Sequence, residues 1–314
     1  MDVRAAVSAR VGLVGNPSDG YGGAVLAAPV PDLAAEVVLS DADRLSVEGP
    51  PDEGAWPGVA ALVAHVDRYG HEGGQRLVTA ALARLARSSG AVDDRPFRVR
   101  WSTTIPRSVG LAGSSALVVA TLRALTTRWG LDLAPDALAR LALEVERDEL
   151  GIAAGLMDRA VQATAATVLV EGDRFRTVTA PAPIPLVVAW DPAGAAPSGR
   201  YHGALRRRFD EGERRVVAAM EELAGLARRA ATAVEAGDAT TLAGLVGDTW
   251  RVRRGLGAVA PSHEALVDAA ARAGLAATSA GSGGSVVAVA TDPAAADRLR
   301  GAAPGTSVVT AAAG

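Results

Sequence analysis

The sequence predicts an α+β fold. Short stretches rich in β-branched residues alternate with longer segments whose apolar residues recur at helical spacing. The strands are short, and they lack the regular helical crossovers that build a doubly wound parallel sheet. With 314 residues, 49% of them hydrophobic, the chain is long enough for one large or two ordinary domains.

The first half of the chain contains most of the predicted strands. They are residues 9–15, 34–39 and 97–105, followed by a hairpin at 167–172 and 174–179. Helices are predicted within 56–87, from the loop at 106–116 to about Arg128, at 135–149 and within 151–164. Pro135 suits the first turn of its helix, because a first-turn residue needs no intrahelical N–H donor.

The proline-rich segment APAPIP, residues 180–185, predicts a boundary between two domains, 1–180 and 181–314. The second domain would begin with a buried strand at 185–190. A long arginine-rich helix should then run to about Ala236, followed by a helix at 239–252 and a strand, a glycine turn and a strand or helix start within 274–290. The sequence leaves open whether residues 305–314 complete a strand.

Composition excludes several classes of chemistry. Every one of the 32 basic residues is arginine, which excludes a Walker-type phosphate loop and a Schiff-base enzyme, since both need lysine. The absence of cysteine excludes disulfides and zinc–sulfur sites, and His65, His71 and His263 have no metal-ligand spacing. The net charge of −3 gives no reason to expect nucleic-acid binding, and no apolar run reaches the roughly 18 residues that span a bilayer. We therefore expect a cytoplasmic protein that binds neither nucleic acid nor membrane.

The segment IPRSVGLAGSSA, residues 105–116, places two glycines and two adjacent hydroxyls just ahead of a helix-like run. Backbone N–H groups at a helix N-terminus lack intrahelical acceptors and suit an anion. Glycine lets the backbone approach that anion closely. Taken alone, the segment is equally compatible with an ordinary loop in which Ser114 or Ser115 caps the helix.

Three glycine-rich segments together resemble the three motifs of the GHMP kinase superfamily. They are GNPSDGYGG (15–23), PRSVGLAGSSA (106–116) and SAGSGGSVVAV (279–289). The resemblance implies a GHMP kinase fold, with an N-terminal domain like ribosomal protein S5 domain 2 and a C-terminal ferredoxin-like domain. It also implies that the middle motif binds ATP without a Walker lysine, through Pro106, Gly110, Leu111, Ala112, Gly113, Ser114, Ser115 and Ala116.

The same resemblance implies a magnesium-dependent phosphoryl transfer. Ser115 and Glu146 would hold Mg²⁺, although Glu144 and Glu149 are close alternatives for the carboxylate. Asp158, in GLMDR, would be the catalytic base. Arg10, at the position of the superfamily's first-motif cation, would stabilise the charge near that carboxylate and on the γ-phosphate.

Within the superfamily the chain resembles glucuronokinases. The resemblance rests on all three glycine-rich motifs and on two further segments, GIAAGLMDRAVQ (151–162) and SGRYHGALRRRFDEG (198–212). This implies phosphorylation of the anomeric hydroxyl of D-glucuronate to D-glucuronate 1-phosphate. Galacturonate, a neutral sugar, a small alcohol and a non-catalytic nucleotide-binding regulator remain alternatives. The substrate-binding residues would be Asn16, Ser18, Asp19, Tyr21, Arg206, Gly281 and Gly283.

Two further observations bear on the acceptor. Asn16 and Pro17 stand where galactokinases carry an acidic residue and a histidine, which argues against galactose. A uronate carboxylate needs a cation, and bidentate arginine is its natural partner. One candidate group comprises Arg206, Arg207 and Arg208 with Arg200 and His202, although such a charge run usually lines the solvated face of a helix. The second is the cluster Arg251, Arg253 and Arg254, and the sequence does not choose between them.

Overall fold

The computed structural model describes residues 2–49, 52–90, 95–192, 199–257, 261–281 and 283–314. The chain divides into two compact units, each assembled from several segments. Unit one consists of Met1–Ala9, Leu33–Ile105 and Gly113–Thr164, and unit two of Arg10–Asp32, Pro106–Ala112 and Ala165–Gly314. The division into continuous domains at residue 180 stays a prediction.

In unit one, strand β5 (Phe97–Thr103) pairs with a neighbouring strand on each side. The two long strands β1 (Val3–Val14) and β2 (Ala24–Asp41) contribute residues to both units. Strand β5 pairs with the later part of β2 in antiparallel fashion and with β3 (Leu45–Gly49) in parallel, and β3 also pairs with β4 (Asp52–Trp56). Alternate residues of β5 are buried, as its apolar–polar alternation requires.

Five α-helices complete the described part of unit one. They are α1 (Val59–Tyr69), α2 (Arg76–Ser89), α3 (Gly113–Trp129), α4 (Pro135–Glu144) and α5 (Leu156–Thr164). Helix α3 is buried on most of its sides, as its apolar sequence requires. The helix predicted at 135–149 ends differently, because residues Val145–Glu149 form a π-helical turn.

Unit two contains a four-stranded antiparallel sheet in the order β11-β8-β10-β9. Its strands are β8 (Ile184–Trp190), β9 (Ala277–Ser279), β10 (Ser285–Val289) and β11 (Ser307–Ala313). The predicted hairpin is present as β6 (Val168–Glu171) and β7 (Arg174–Thr177), and β6 also pairs with the start of β2. The C-terminal segment therefore completes a strand.

The described helices of unit two are α6 (Gly199–Asp210), α7 (Arg214–Glu235), α8 (Ala239–Gly255), α9 (Pro261–Arg272) and α10 (Ala295–Ala302). The long helix predicted to end near Ala236 is present as α7, and the preceding segment forms a separate helix, α6, which ends before Gly212, where φ is +72°. Leu266 and Val267 of α9 pack in one cluster with Val187 of β8 and Val286 of β10. Among the described residues, no helix has both the length and the apolar character needed to cross a membrane.

Candidate active site

The loop 106–112, in unit two, has three consecutive carbonyl groups held by neighbours of the same unit. Ser285 Oγ donates to Val109 O at 2.6 Å, and Arg10 donates through Nη1 to Gly110 O at 2.8 Å and through its backbone N to Leu111 O at 3.3 Å. The C=O and N–H of a trans peptide point in opposite directions. The N–H groups that follow these carbonyls therefore point away from Ser285 and Arg10.

The backbone of this loop has left-handed residues at alternate positions. Ser108, Gly110 and Ala112 have positive φ angles of 59°, 79° and 62°. Such an alternation can turn N–H groups toward a common point, where an anion can bind. The conformation of the loop is compatible with the predicted phosphate cradle, and ATP binding by this loop stays a prediction.

The third glycine turn contacts the same loop within unit two. A Cβ atom on Gly281 would lie 2.2 Å from Gly110 O, so only glycine fits at that position. Gly283 is also buried, and Gly284 has a φ of +73°. The close approach of the two backbones explains why the third turn needs glycine at position 281.

Two buried arginines bind three consecutive carbonyls of the third turn. Arg253 donates to Ser279 O at 3.0 Å and to Gly281 O at 3.1 Å, and Arg10 donates to Ala280 O at 3.1 Å. Both arginine residues are almost fully buried. Arg10 therefore has a clear structural role in unit two. Its predicted role beside Asp158, which belongs to unit one, stays a prediction.

Sequence reasoning missed Arg253 and His263 as residues that shape this turn. Gly284 N donates a hydrogen bond to His263 Nε2. Burial, and then the nearby charge of Arg253, hold the pKa of His263 below its ordinary value of 6.5. The imidazole is therefore neutral at pH 7, as a hydrogen-bond acceptor at Nε2 must be.

The first glycine segment forms a compact loop at the end of β1. Gly15 has a φ of +97°, and a Cβ there would lie 2.4 Å from Ala24 O. Ser18 is fully buried and donates its hydroxyl to Ala24 O at 2.7 Å, which gives it a structural role. Asn16 is nearly buried and Asp19 is half-buried. The acceptor contacts predicted for Asn16, Ser18 and Asp19 stay predictions.

Arg206 of α6 contacts this first loop. Its guanidinium lies 5.6 Å from the centroid of the Tyr21 ring and donates to Gly20 O at 3.2 Å. The Tyr21 ring in turn meets Phe209 of the same helix edge-to-face, with the centroids 4.8 Å apart. Arg206 also pairs with Asp210 at 2.9 Å and is 56% exposed. Of the candidate arginines, Arg206 is thus tied to the loop that the family resemblance assigns to the acceptor.

The other predicted cluster behaves differently. Arg251 and Arg254 are exposed and lie near Asp248 and Glu264 respectively. Arg253 is committed to the glycine turn.

Unit one supplies the start of α3, which follows the loop directly in the chain. Gly113 opens the helix, Ser114 is exposed, and Ser115 is 1% exposed in the first turn. Ala116 is fully buried and Pro106 is half-buried. The first N–H groups of a helix lack intrahelical acceptors and carry partial positive charge. This end of α3 is therefore suited to an anion.

The three neighbouring glutamates have different environments within unit one. Glu144 pairs with Arg84 at 2.7 Å, and Glu149 pairs with Arg87 at 2.7 Å, both arginines lying on α2. Glu146 alone of the three has a side chain only 1% exposed. A π-helical turn contains about one more residue than an α-helical turn. The side chain of Glu146 therefore leaves the helix on a different side from the one it would take in a regular α-helix. Burial therefore favours Glu146 as the metal ligand.

Asp158 lies in the first turn of α5, beside Arg159. The Asp158 side chain is 20% exposed, and its Oδ2 lies 3.3 Å from Arg159 Nη1. Arg159 also forms an ion pair with Glu146. Unit one thus brings Glu146, Arg159 and Asp158 into one contiguous group of charges.

The donor set fits magnesium. Mg²⁺ prefers hard oxygen ligands and usually keeps several waters. Glu146 offers a buried carboxylate and Ser115 a buried hydroxyl, both in unit one. Among the described residues, no three histidine, aspartate or glutamate side chains form a cluster that could hold a metal ion.

Comparison with known families identifies the chain. Residues 76–166 match the family described as GHMP kinases N terminal domain, and residues 230–306 match GHMP kinases C terminal. Together the two matches cover more than half of the chain. The chain belongs to the GHMP kinase family. The predicted family and its fold are confirmed.

Two plant proteins resemble this GHMP kinase over most of its length. The chain is 31% identical over 307 residues to a protein named probable glucuronokinase 2 of Arabidopsis thaliana. The aligned residues cover 89% of this chain and 82% of that protein. The chain is 29% identical over 303 residues to glucuronokinase 1 of the same plant, with the same coverage.

Solved structures agree on the fold of this GHMP kinase. The mevalonate kinase of Methanococcus jannaschii has a TM-score of 0.81 and 15% sequence identity, covering 99% of this chain and 97% of that one. The galactokinase of Lactococcus lactis, complexed with galactose, has a TM-score of 0.79 and 15% identity, covering 100% and 94%. At this identity the comparison concerns the fold alone.

Proposed function

We propose that the chain is an ATP- and Mg²⁺-dependent kinase that phosphorylates the anomeric hydroxyl of a uronic acid, D-glucuronate being the leading candidate. The observation that carries this proposal is the similarity to two glucuronokinases at about 30% identity over 89% of the chain. The contact of Arg206 with the first glycine segment, which the family resemblance assigns to the acceptor, is compatible with it. The product would be D-glucuronate 1-phosphate.

The nucleotide phosphates would bind to the middle motif, residues 106–116. The carbonyl groups of Val109 and Gly110 are held by Ser285 and Arg10, so the N–H groups of Gly110 and Leu111 point in the opposite direction. Donors fixed before the ligand arrives need no reorganisation during the reaction. Gly110 and Gly113 allow close backbone approach to the phosphates.

The chemistry would be assigned to Asp158. Its carboxylate accepts the proton of the anomeric hydroxyl as the oxygen–phosphorus bond forms and the bond to the β-phosphate oxygen breaks, releasing ADP. Ser115 and Glu146 would hold Mg²⁺, which when bound neutralises charge on the phosphate oxygens. Arg10 would add positive charge from the protein.

A carboxylate on the acceptor needs a cation, because an unpaired buried carboxylate is costly. Arg206 is the candidate, since it already lies on Tyr21 and Gly20 of the loop assigned to the acceptor. Arg206 now pairs with Asp210 at the protein surface. Such an exposed ion pair contributes little free energy. An incoming uronate carboxylate could replace Asp210.

The test is ATP consumption by the purified chain against D-glucuronate, D-galacturonate, neutral sugars and small alcohols. Phosphorus NMR of the products then distinguishes an anomeric phosphate from a phosphate elsewhere on the sugar. Uronate-stimulated turnover with an anomeric product supports the proposal. ATP binding without turnover for any acceptor would favour the regulator instead.

A further inference from the structure

Arg159 contacts both carboxylates of the unit-one charge group. Its Nη2 forms the ion pair with Glu146 Oε2, and its Nη1 lies 3.3 Å from Asp158 Oδ2. The same Nη1 donates to Gly155 O at 2.8 Å, just before α5 begins. The side chain of Arg159 is only 5% exposed, so these contacts form in a place largely shielded from water.

The burial of Glu146 makes this ion pair consequential. A carboxylate with 1% exposure is costly to bury without a countercharge. In the described structure Arg159 supplies that charge. A divalent cation that binds Glu146 must share the carboxylate with the guanidinium or displace it.

We propose that Arg159 is a positioning residue that competes with the divalent cation for Glu146 and holds Asp158 in place. Before the metal–nucleotide arrives, Arg159 compensates the buried charge of Glu146. When the metal takes that role, the guanidinium remains bound to Gly155 O and Asp158, so its second contact fixes the proposed base. This inference rests on the kinase site of the proposed function and not on the identity of the acceptor.

The proposal predicts that removing the charge of Arg159 strengthens metal binding. We would measure Mn²⁺ binding by electron paramagnetic resonance on protein saturated with a non-hydrolysable ATP analogue and without any sugar. Arg159→Gln should bind Mn²⁺ about tenfold more tightly, the factor that corresponds to losing one competing charge-assisted contact. Arg159→Lys, which keeps the charge but loses the forked geometry, should show a smaller gain.

Arg123 supplies the matched control. It is a half-buried arginine of α3 in unit one, and it donates to Gln162 O and Ala163 O near the end of α5. Arg123→Gln removes a guanidinium that contacts α5 without touching Glu146 in any described contact. Nucleotide binding in the presence of a chelator, measured for each variant, separates metal effects from nucleotide effects.

Tighter Mn²⁺ binding in Arg159→Gln but not in Arg123→Gln would support the competition. The gain should disappear in an Arg159→Gln variant that also carries Glu146→Gln. Unchanged or weaker Mn²⁺ binding in Arg159→Gln, or a gain that survives Glu146→Gln, would overturn it. Failure of the uronate proposal would appear only in assays with acceptors, so the two results are distinguishable.

Discussion

Asp158 is the single residue on which the proposed chemistry depends. Asp158→Asn should bind ATP within about twofold of the parent but lose about a hundredfold to ten-thousandfold in kcat, the range for removal of a general base. The amide cannot accept the proton, yet it can keep a contact with Arg159. Steady-state kinetics and nucleotide binding by calorimetry measure the two quantities.

A matched substitution controls for the loss of charge. Asp136→Asn changes an exposed aspartate on α4 that pairs with Arg140, and it should leave kcat unchanged. Near-normal turnover of Asp158→Asn would remove Asp158 from the mechanism.

Arg206 is the residue that we expect to distinguish uronates from neutral sugars. Arg206→Gln should lower kcat/KM for D-glucuronate by about tenfold to a hundredfold, since a charged hydrogen-bond partner is lost. The kcat/KM for any neutral sugar used should change little. Arg207→Gln, on an exposed neighbour in the same helix, is the control. A uniform loss for all acceptors would assign Arg206 a structural role.

The sequence pointed to candidate site residues that lie within the glycine-rich motifs. It did not point to residues that contact those motifs from distant positions in the chain. The glycines and hydroxyls of the middle motif are adjacent in the chain, so their chemistry is visible as a pattern. Arg253 lies 26 residues before Ser279, whose carbonyl it binds, and no motif marks it. The different burial of Glu144, Glu146 and Glu149 comes from the tertiary structure and cannot be read from their shared segment.

Among structural elements, the contact of the third glycine turn with the loop 106–112 gives a sharp test. Gly281→Ala would place a Cβ 2.2 Å from Gly110 O. Because the obstacle is backbone, it cannot rotate away, and we expect a loss of about 1–3 kcal/mol in the free energy of unfolding. Nucleotide binding should weaken as well, because the phosphate loop must shift. Urea unfolding and calorimetry measure both effects.

Gly244 provides the comparison for that test. It lies within α8, and a Cβ there would meet nothing within 4 Å. Gly244→Ala should therefore raise the free energy of unfolding by up to about 1 kcal/mol, as alanine favours helix. A Gly281→Ala variant as stable as Gly244→Ala would contradict the close approach.

Helices and strands in which apolar and polar residues alternate clearly could be predicted from the sequence. Alanine-rich helices were harder to predict. The hairpin β6–β7 and strand β8 follow clear patterns of β-branched residues. Helix α10 is short and rich in alanine, which packs inside or outside a core with little preference. The π-helical turn at Val145–Glu149 was not predicted, because local propensity alone indicates an ordinary helix there.

For the whole molecule, buried histidines should make stability depend on pH. Burial lowers the pKa of both His263 and His71 below 6.5. A group with a depressed pKa stabilises the fold fully above its unfolded value, and this contribution is lost as the pH falls below 6.5. The free energy of unfolding, measured in urea from pH 8 to pH 5, should therefore decrease with acidification.

His263→Gln should reduce that decrease, because the glutamine carbonyl can accept from Gly284 N and does not titrate. His71→Gln reports the separate contribution of the other buried histidine. A pH dependence that neither substitution changes would assign the effect to other groups.

The most direct test of the uronate kinase is a comparison of kcat/KM for D-glucuronate, D-galacturonate, D-glucose and D-galactose at one concentration of ATP and Mg²⁺. A uronate carboxylate gains a charge-assisted contact with Arg206 that a neutral sugar cannot form. We expect D-glucuronate to exceed D-glucose by about tenfold to a hundredfold, the effect of one hydrogen bond to a charged group. Equal use of D-glucose and D-glucuronate would contradict the uronate assignment.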